Sequence, residues 1–260
     1  MWKTGLTSIS FRKLSGREII GLAARSQLDG IEWGSDGHVL PGHAADARAL
    51  AAETRAAGLE VLSVGSYFYA GADGDDAGLQ VLELCQAMDT DMLRVWAGKK
   101  GSLDAEGDDR KRVVESLSRL CEAARPLGIT VSTEYHARTL TDNAASALRL
   151  MHEVGQDNFR TYWQPVVYDT VDANTRALGS ILPHSTNIHV FAWTLDAQKN
   201  LIRHPLADAA SDWALYLDAL KSYDAAHPGF DRSFMIEFVL NDDPASCVAD
   251  AAVLNRWIHG

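Results

Sequence analysis

A short β-rich run followed by an Ala/Leu-rich stretch of helical period recurs eight times along one chain of 260 residues. No Pro/Gly/Ser-rich linker interrupts the series, and no repeat or low-complexity tract appears. Together these features predict an α/β fold, a single (β/α)8 TIM barrel domain over residues 1–260. The length agrees, because such barrels run to about 250 residues. The composition agrees too: 47% hydrophobic and 23% charged residues allow both a large core and a wetted surface. A doubly wound open sheet would instead carry a phosphate loop such as GxGxxG after its first strand, and none is present there.

The elements follow in order. The first β-rich run is Gly5 to Phe11, after which Ser15 and Glu18 form a capping-box pattern that opens a helix through Gln27. Gly30 to Trp33 is the second run, with a helix from Ala44 to Ala57, and Glu60 to Tyr67 the third, with a helix from Ala77 to Met88. Met92 to Trp96 leads through a Gly- and Asp-containing loop to a helix from Asp109 to Arg125. Ile129 to His136 precedes a helix from Asp142 to Val154, and Phe159 to Gln164 one from Ala173 to Leu182. Thr186 to Trp193 carries the longest excursion before a helix from Asp208 to Ala225. Ser233 to Leu240 ends in a helix from Pro244 to Ile258.

Charge and targeting signals narrow the partners. A net charge of −11 argues against nucleic acid, whose phosphates are gripped by basic stripes. The basic clusters Lys99-Lys100 and Arg110-Lys111-Arg112 are short and flanked by acids. No apolar run reaches the roughly 18 residues that span a bilayer, and nothing near Met1 resembles a signal peptide. Three scattered cysteines, Cys85, Cys121 and Cys247, fall in helical stretches without CxxC spacing and read as buried thiols. A cytoplasmic protein acting on a small molecule, with neither membrane nor nucleic acid as partner, is the expectation.

In such barrels the reactive groups stand at the C-terminal ends of the strands and point inward. Those ends here carry Glu32 and Trp33, Tyr67, Arg94 and Trp96, Glu134 and His136, Trp163 and Gln164, His189 and Trp193, and Glu237. Burying a charge without a partner costs several kcal/mol, so acids and histidines at equivalent ends of different strands point to a cation. Alternation of period two places Ser132, Glu134 and His136 inward with Val131 and Thr133 outward. It places Met235 and Glu237 inward with Phe234, Ile236 and Phe238 outward, and sets Asn187 and His189 on one side against Ile188 and Val190. Taken singly, a strand glutamate is explained by an ion pair to Arg94 and a strand histidine by ordinary packing. Taken together, Glu134, His189 and Glu237 read as ligands of one divalent metal, with Mn²⁺, Mg²⁺, Co²⁺ and Zn²⁺ all open.

The chain resembles the xylose isomerase-like barrel superfamily, in particular its sugar phosphate isomerase/epimerase branch. The resemblance is carried by Gly30-Ile31-Glu32-Trp33 with His38, and by Glu134-Tyr135-His136 followed by Thr139-Leu140-Thr141-Asp142. It continues through Trp163-Gln164-Pro165, Asn187-Ile188-His189-Val190, Arg203-His204-Pro205-Leu206 running to Asp212-Trp213, and Glu237. It implies that four side chains, Glu134, the Gln164 position, His189 and Glu237, hold the metal. Members of this family usually carry an acid where Gln164 stands. The neutral amide lowers ligand charge and implies weaker metal binding or an altered metal preference, and leaves open that Gln164 is no ligand.

The resemblance implies a divalent-metal-dependent sugar isomerase or epimerase that works through an enediolate on a ketose or aldose. Glu134 and Glu237 are then the acid and base as well as ligands. His136 and Glu32 are expected to support the ligands or bind hydroxyls, and His38 to cap the pocket from a loop. Arg94 is expected either to bind a substrate oxygen or to pair with a ligand carboxylate. Trp33, Trp96, Trp163 and Trp193 are expected at the mouth, where sugar C–H faces pack on aromatic rings. Arg203 with His204 is the only basic pair near the later loops, so a neutral sugar is preferred over a phosphorylated one. A lyase or dehydratase of the same superfamily is the alternative, as is a non-catalytic sugar-binding barrel or one subunit of a larger enzyme. The resemblance alone implies a homodimer or homotetramer.

Overall fold

The computed structural model describes residues 1–260, and eight parallel strands close into a barrel. In chain order the strands are β1 (Trp2–Thr7), β2 (Gly30–Gly34), β3 (Glu60–Tyr69), β4 (Met92–Trp96), β5 (Thr130–Thr133), β6 (Phe159–Trp163), β7 (Ser185–Val190), β8 (Trp193–Leu195), β9 (Leu201–Arg203) and β10 (Arg232–Ile236). β1 to β7 pair in sequence and β10 closes the ring between β7 and β1, while β8 and β9 form a separate antiparallel hairpin. The helices are α1 (Gly16–Arg25), α2 (Ala44–Ala56), α3 (Asp75–Met88), α4 (Gly107–Ala124), α5 (Ala144–Val154), α6 (Val171–Ile181), α7 (Ala210–Ala226) and α8 (Pro244–His259).

Local chemistry starts the helices where the sequence marks them. Ser15 and Glu18 form the reciprocal capping box of α1, and Asn143, Thr170 and Asp243 cap α5, α6 and α8 with their side chains. Cys85, Cys121 and Cys247 are buried free thiols on α3, α4 and α8.

The strands divide their side chains between two layers. Leu6, Ile31, Val64, Leu93, Val131, Ile188, Phe234 and Ile236 face outward and join the helices in one large buried cluster. Leu62, Tyr162 and Met235 face inward and plug the barrel. The plug needs room: a Cβ at Gly5 would stand 2.4 Å from Leu62 Cδ1.

Several strands end sooner than their sequence suggests. The first run does not stay extended to Phe11, because Ser8–Phe11 turns into a 3-10 helix held by a Thr7–Ser10 hydroxyl bond of 2.8 Å. β5 and β10 stop at Thr133 and Ile236, yet Glu134 N still donates to Val95 O at 3.1 Å and Glu237 N to Val190 O at 3.0 Å. The neighbouring strand therefore still holds the backbone of both acids. The seventh strand ends at Val190, and Trp193 belongs to the hairpin.

Candidate metal centre

Glu134 Oε1, Glu237 Oε1 and Gln164 Oε1 converge on one atom, His189 Nδ1, at 3.6, 3.7 and 3.2 Å. One ligand atom from each of Glu134, His189 and Glu237 lies within 4.8 Å of the others, and all three residues are buried. β5, β6, β7 and β10 thus each deliver one side chain to the same point, at the C-terminal end of the barrel.

A second layer braces this cluster. His189 Nε2 faces Glu32 Oε1 at 3.4 Å, and Glu32 Oε2 accepts the Ser63 hydroxyl at 2.7 Å. A carboxylate behind the far nitrogen of a histidine is the arrangement that fixes a metal-binding ring nitrogen toward its ion. The Tyr162 ring meets the His189 ring edge-on with centroids 5.4 Å apart, and the Tyr162 hydroxyl accepts from Asn187 Nδ2 at 2.9 Å. Arg94 lies wholly buried between two acids, 3.2 Å from Glu134 Oε2 and 3.7 Å from Glu32 Oε1, and donates to Ser66 O at 3.0 Å. Gly65 makes this packing possible, since a Cβ there would stand 2.8 Å from Glu32 Oε1 and 2.9 Å from Arg94 Nη2.

The charges show what is missing. Burial alone would raise Glu134, but Arg94 and His189 hold it down to about 2. Glu32 behaves likewise, with burial outweighed by His189 and Arg94. Burial raises Glu237; His189 opposes the rise and the Glu134 charge reinforces it. Burial disfavours a charged His189, yet Glu237, Glu134 and Glu32 hold its pKa well above the usual histidine value. With three carboxylates and one guanidinium, the pocket carries two negative charges in excess when His189 is neutral. One divalent cation has that charge, and the converging oxygens and ring nitrogen are donors it accepts. The residues present fit a metal ion.

The other predicted residues divide between the mouth and the outer layer. Trp96 and His136 are at the mouth, edge to face with centroids 4.9 Å apart, and Arg94 lies 5.2 Å beneath the Trp96 ring. Trp193 stacks on Phe191 at 3.7 Å and donates to Phe238 O at 3.2 Å. Arg203 sits 4.7 Å over the Phe238 ring and pairs with Asp242. Trp33 and Trp163 do not reach the mouth. Each is one residue out of phase with an inward neighbour, Glu32 and Gln164, so each points to the helices, where Trp163 packs on Trp213 and Tyr216. His38 follows Trp33, with its ring on the indole at 5.7 Å and Nε2 on Leu14 O at 2.9 Å, so it does not cap the pocket. Phe238 is the reverse case: a φ of +49° breaks the strand alternation and turns its ring to the mouth instead of outward.

Sequence reasoning passed over Ser63, Gly65 and Tyr162. The sign for the first two was Ser63-x-Gly65-Ser66, a cluster of small residues in a strand whose other side chains are bulky. Tyr162 carried no such sign, because its neighbour Trp163 looked like the functional aromatic.

Fold and site together define a (β/α)8 barrel with a carboxylate–histidine centre at its C-terminal mouth. A profile of the xylose isomerase-like TIM barrel family matches residues 20–225, and the chain belongs to that family. A 3-dehydroshikimate dehydratase of Bacillus anthracis is 28% identical in a 176-residue alignment that covers 61% of this chain. That match spans only 60% of the relative's own length. Among solved structures, the probable 3-DHS dehydratase of petrobactin synthesis from Bacillus anthracis has a TM-score of 0.78 at 19% identity, covering 98% of this chain and 99% of that one. An L-ribulose 3-epimerase has a TM-score of 0.73 at 19% identity, covering 99% and 95%. At these identities the structural likeness shows the fold, and the two neighbours carry different reactions on it.

Proposed function

We propose that the protein is a divalent-metal-dependent isomerase or epimerase that removes a proton beside the carbonyl of a small ketose or aldose and returns it at another carbon or to the other face of the same one. The observation that carries this reading is the pair of buried carboxylates, Glu134 and Glu237, set at 3.6 and 3.7 Å from one His189 nitrogen in a pocket that carries two excess negative charges when that histidine is neutral.

Glu134, Gln164, His189 and Glu237 would hold the metal. Bound there, it would polarise the carbonyl and stabilise the enediolate charge, the largest part of the barrier. Glu134 and Glu237 are the groups on this wall able to take up and give back a proton. Arg94 holds Glu134 ionised, and Glu32 orients His189 from behind. Trp96 and Trp193 supply flat apolar faces that exclude water from the mouth.

The likeness to a dehydratase supports a second reading, in which the same proton removal is followed by loss of a hydroxyl as water. Incubation with free and phosphorylated ketoses in D2O, with Mn²⁺, Co²⁺ or Mg²⁺ added, tests both. Isomerisation predicts deuterium at the carbon beside the carbonyl in a product of unchanged formula, and dehydration a product lighter by one water. Absence of both label and water loss with every substrate and metal would remove both.

A further inference from the structure

We infer that the carbonyl substrate carries a flat apolar group, an aromatic ring in the first instance, and that this group seats in a cavity beside Gln164; the inference rests on the metal-assisted reading above. The cavity, about 150 Å³, lies between the loops after β5 and β6 and the β8–β9 hairpin. An apolar cavity of roughly that volume takes up a benzene ring. Its wall includes Tyr135, Val166, Phe191, Trp193, Leu195 and Leu201, with Gln164 and His136 as its polar edges.

The wall does not suit a polyol. Trp193 Nε1 is engaged with Phe238 O at 3.2 Å, and His136 Nδ1 faces Ala137 O at 2.7 Å. Sugar hydroxyls placed here would leave water for a wall whose polar groups lie mainly at its edges, whereas an aromatic ring would lose little by desolvation. The parallel stack of Phe191 and Trp193, tilted by only 11°, forms a preformed aromatic shelf. The outer lip has the same character, with Leu201 45% and Tyr168 69% exposed. Because Gln164 lines both the cavity and the metal centre, a group seated here is joined directly to the reacting carbons.

Two α-hydroxy ketones separate the ring from the reacting unit. Both 2-hydroxyacetophenone and hydroxyacetone offer the same carbonyl and hydroxyl, and only the first has a phenyl group. Titrated into the Mn²⁺-loaded protein by calorimetry, the phenyl compound is expected to bind at least about tenfold tighter. Leu201→Asp is expected to remove most of that preference while leaving Mn²⁺ affinity within about twofold. Equal affinities, or a preference that Leu201→Asp leaves intact, would overturn the inference. The same samples in D2O read proton exchange separately. Label without a phenyl preference sinks the cavity assignment alone, and a preference without label sinks the enolisation reading alone.

Discussion

His189 is the residue on which the centre turns, because its two nitrogens face different tasks. Nδ1 meets three oxygens and Nε2 meets Glu32, so the ring is oriented before any ion arrives. Gln164 is the one neutral group among the converging oxygens, which makes it the natural place to vary ligand charge. Gln164→Glu keeps the shape and adds a carboxylate, and it should tighten Mn²⁺ binding by about tenfold, measured by calorimetry. An unchanged affinity would remove Gln164 from the ligand set. Glu134, His189 and Glu237 stood out in the sequence because an unpartnered charge in an apolar strand demands a reason. The tryptophans were less legible. Trp33 and Trp163 adjoin inward residues, and a shift of one position sends a side chain to the opposite face.

At the level of elements, alternation was readable wherever the strand stayed regular. It failed where the ladder is disturbed. Glu32 pairs with Ser63 although Ile31 pairs with Val61, so Leu62 is one residue extra on β3. That bulge lets Leu62 plug the barrel while Ser63 and Gly65 still face Glu32 and Arg94, and no local pattern announces it. The β8–β9 hairpin was likewise hidden inside what read as one long excursion. Its return to the barrel is braced by Asp250 of α8, whose Oδ1 accepts from Leu206 N at 2.8 Å. Burial, partly offset by the Leu206 N–H and reinforced by Asp208, pushes Asp250 up to about 6 from an ordinary value of 3.8. The folded chain therefore holds this proton more tightly than the unfolded one between those two values, and stability from this group falls as pH rises through that window. Asp250→Asn keeps the acceptor without the charge. It should raise the Tm at pH 7.5, with the gain shrinking toward pH 4, as followed by scanning calorimetry.

For the molecule as a whole, the eightfold alternation made the barrel legible from end to end, since each unit repeats the same two periods. The charge deficit of the pocket was not legible, because it depends on Arg94 being the only permanently charged cation buried among Glu32, Glu134 and Glu237. That deficit ties stability to metal. Mn²⁺ at a hundredfold excess over its Kd should stabilise the fold by about 2.7 kcal/mol. For a chain of this size the gain is roughly 5 to 10 °C in Tm, reversed by a chelator. A Tm indifferent to every divalent ion would contradict the metal assignment. The order of the strands also sets when the centre comes into being. β10 carries the chain into Glu237 and is the strand that seals the ring between β7 and β1. As the chain leaves the ribosome, Glu134, Gln164 and His189 emerge well ahead of their last companion. Capture of an ion by these four residues would thus be a late event of biosynthesis, withheld until the final strand has docked.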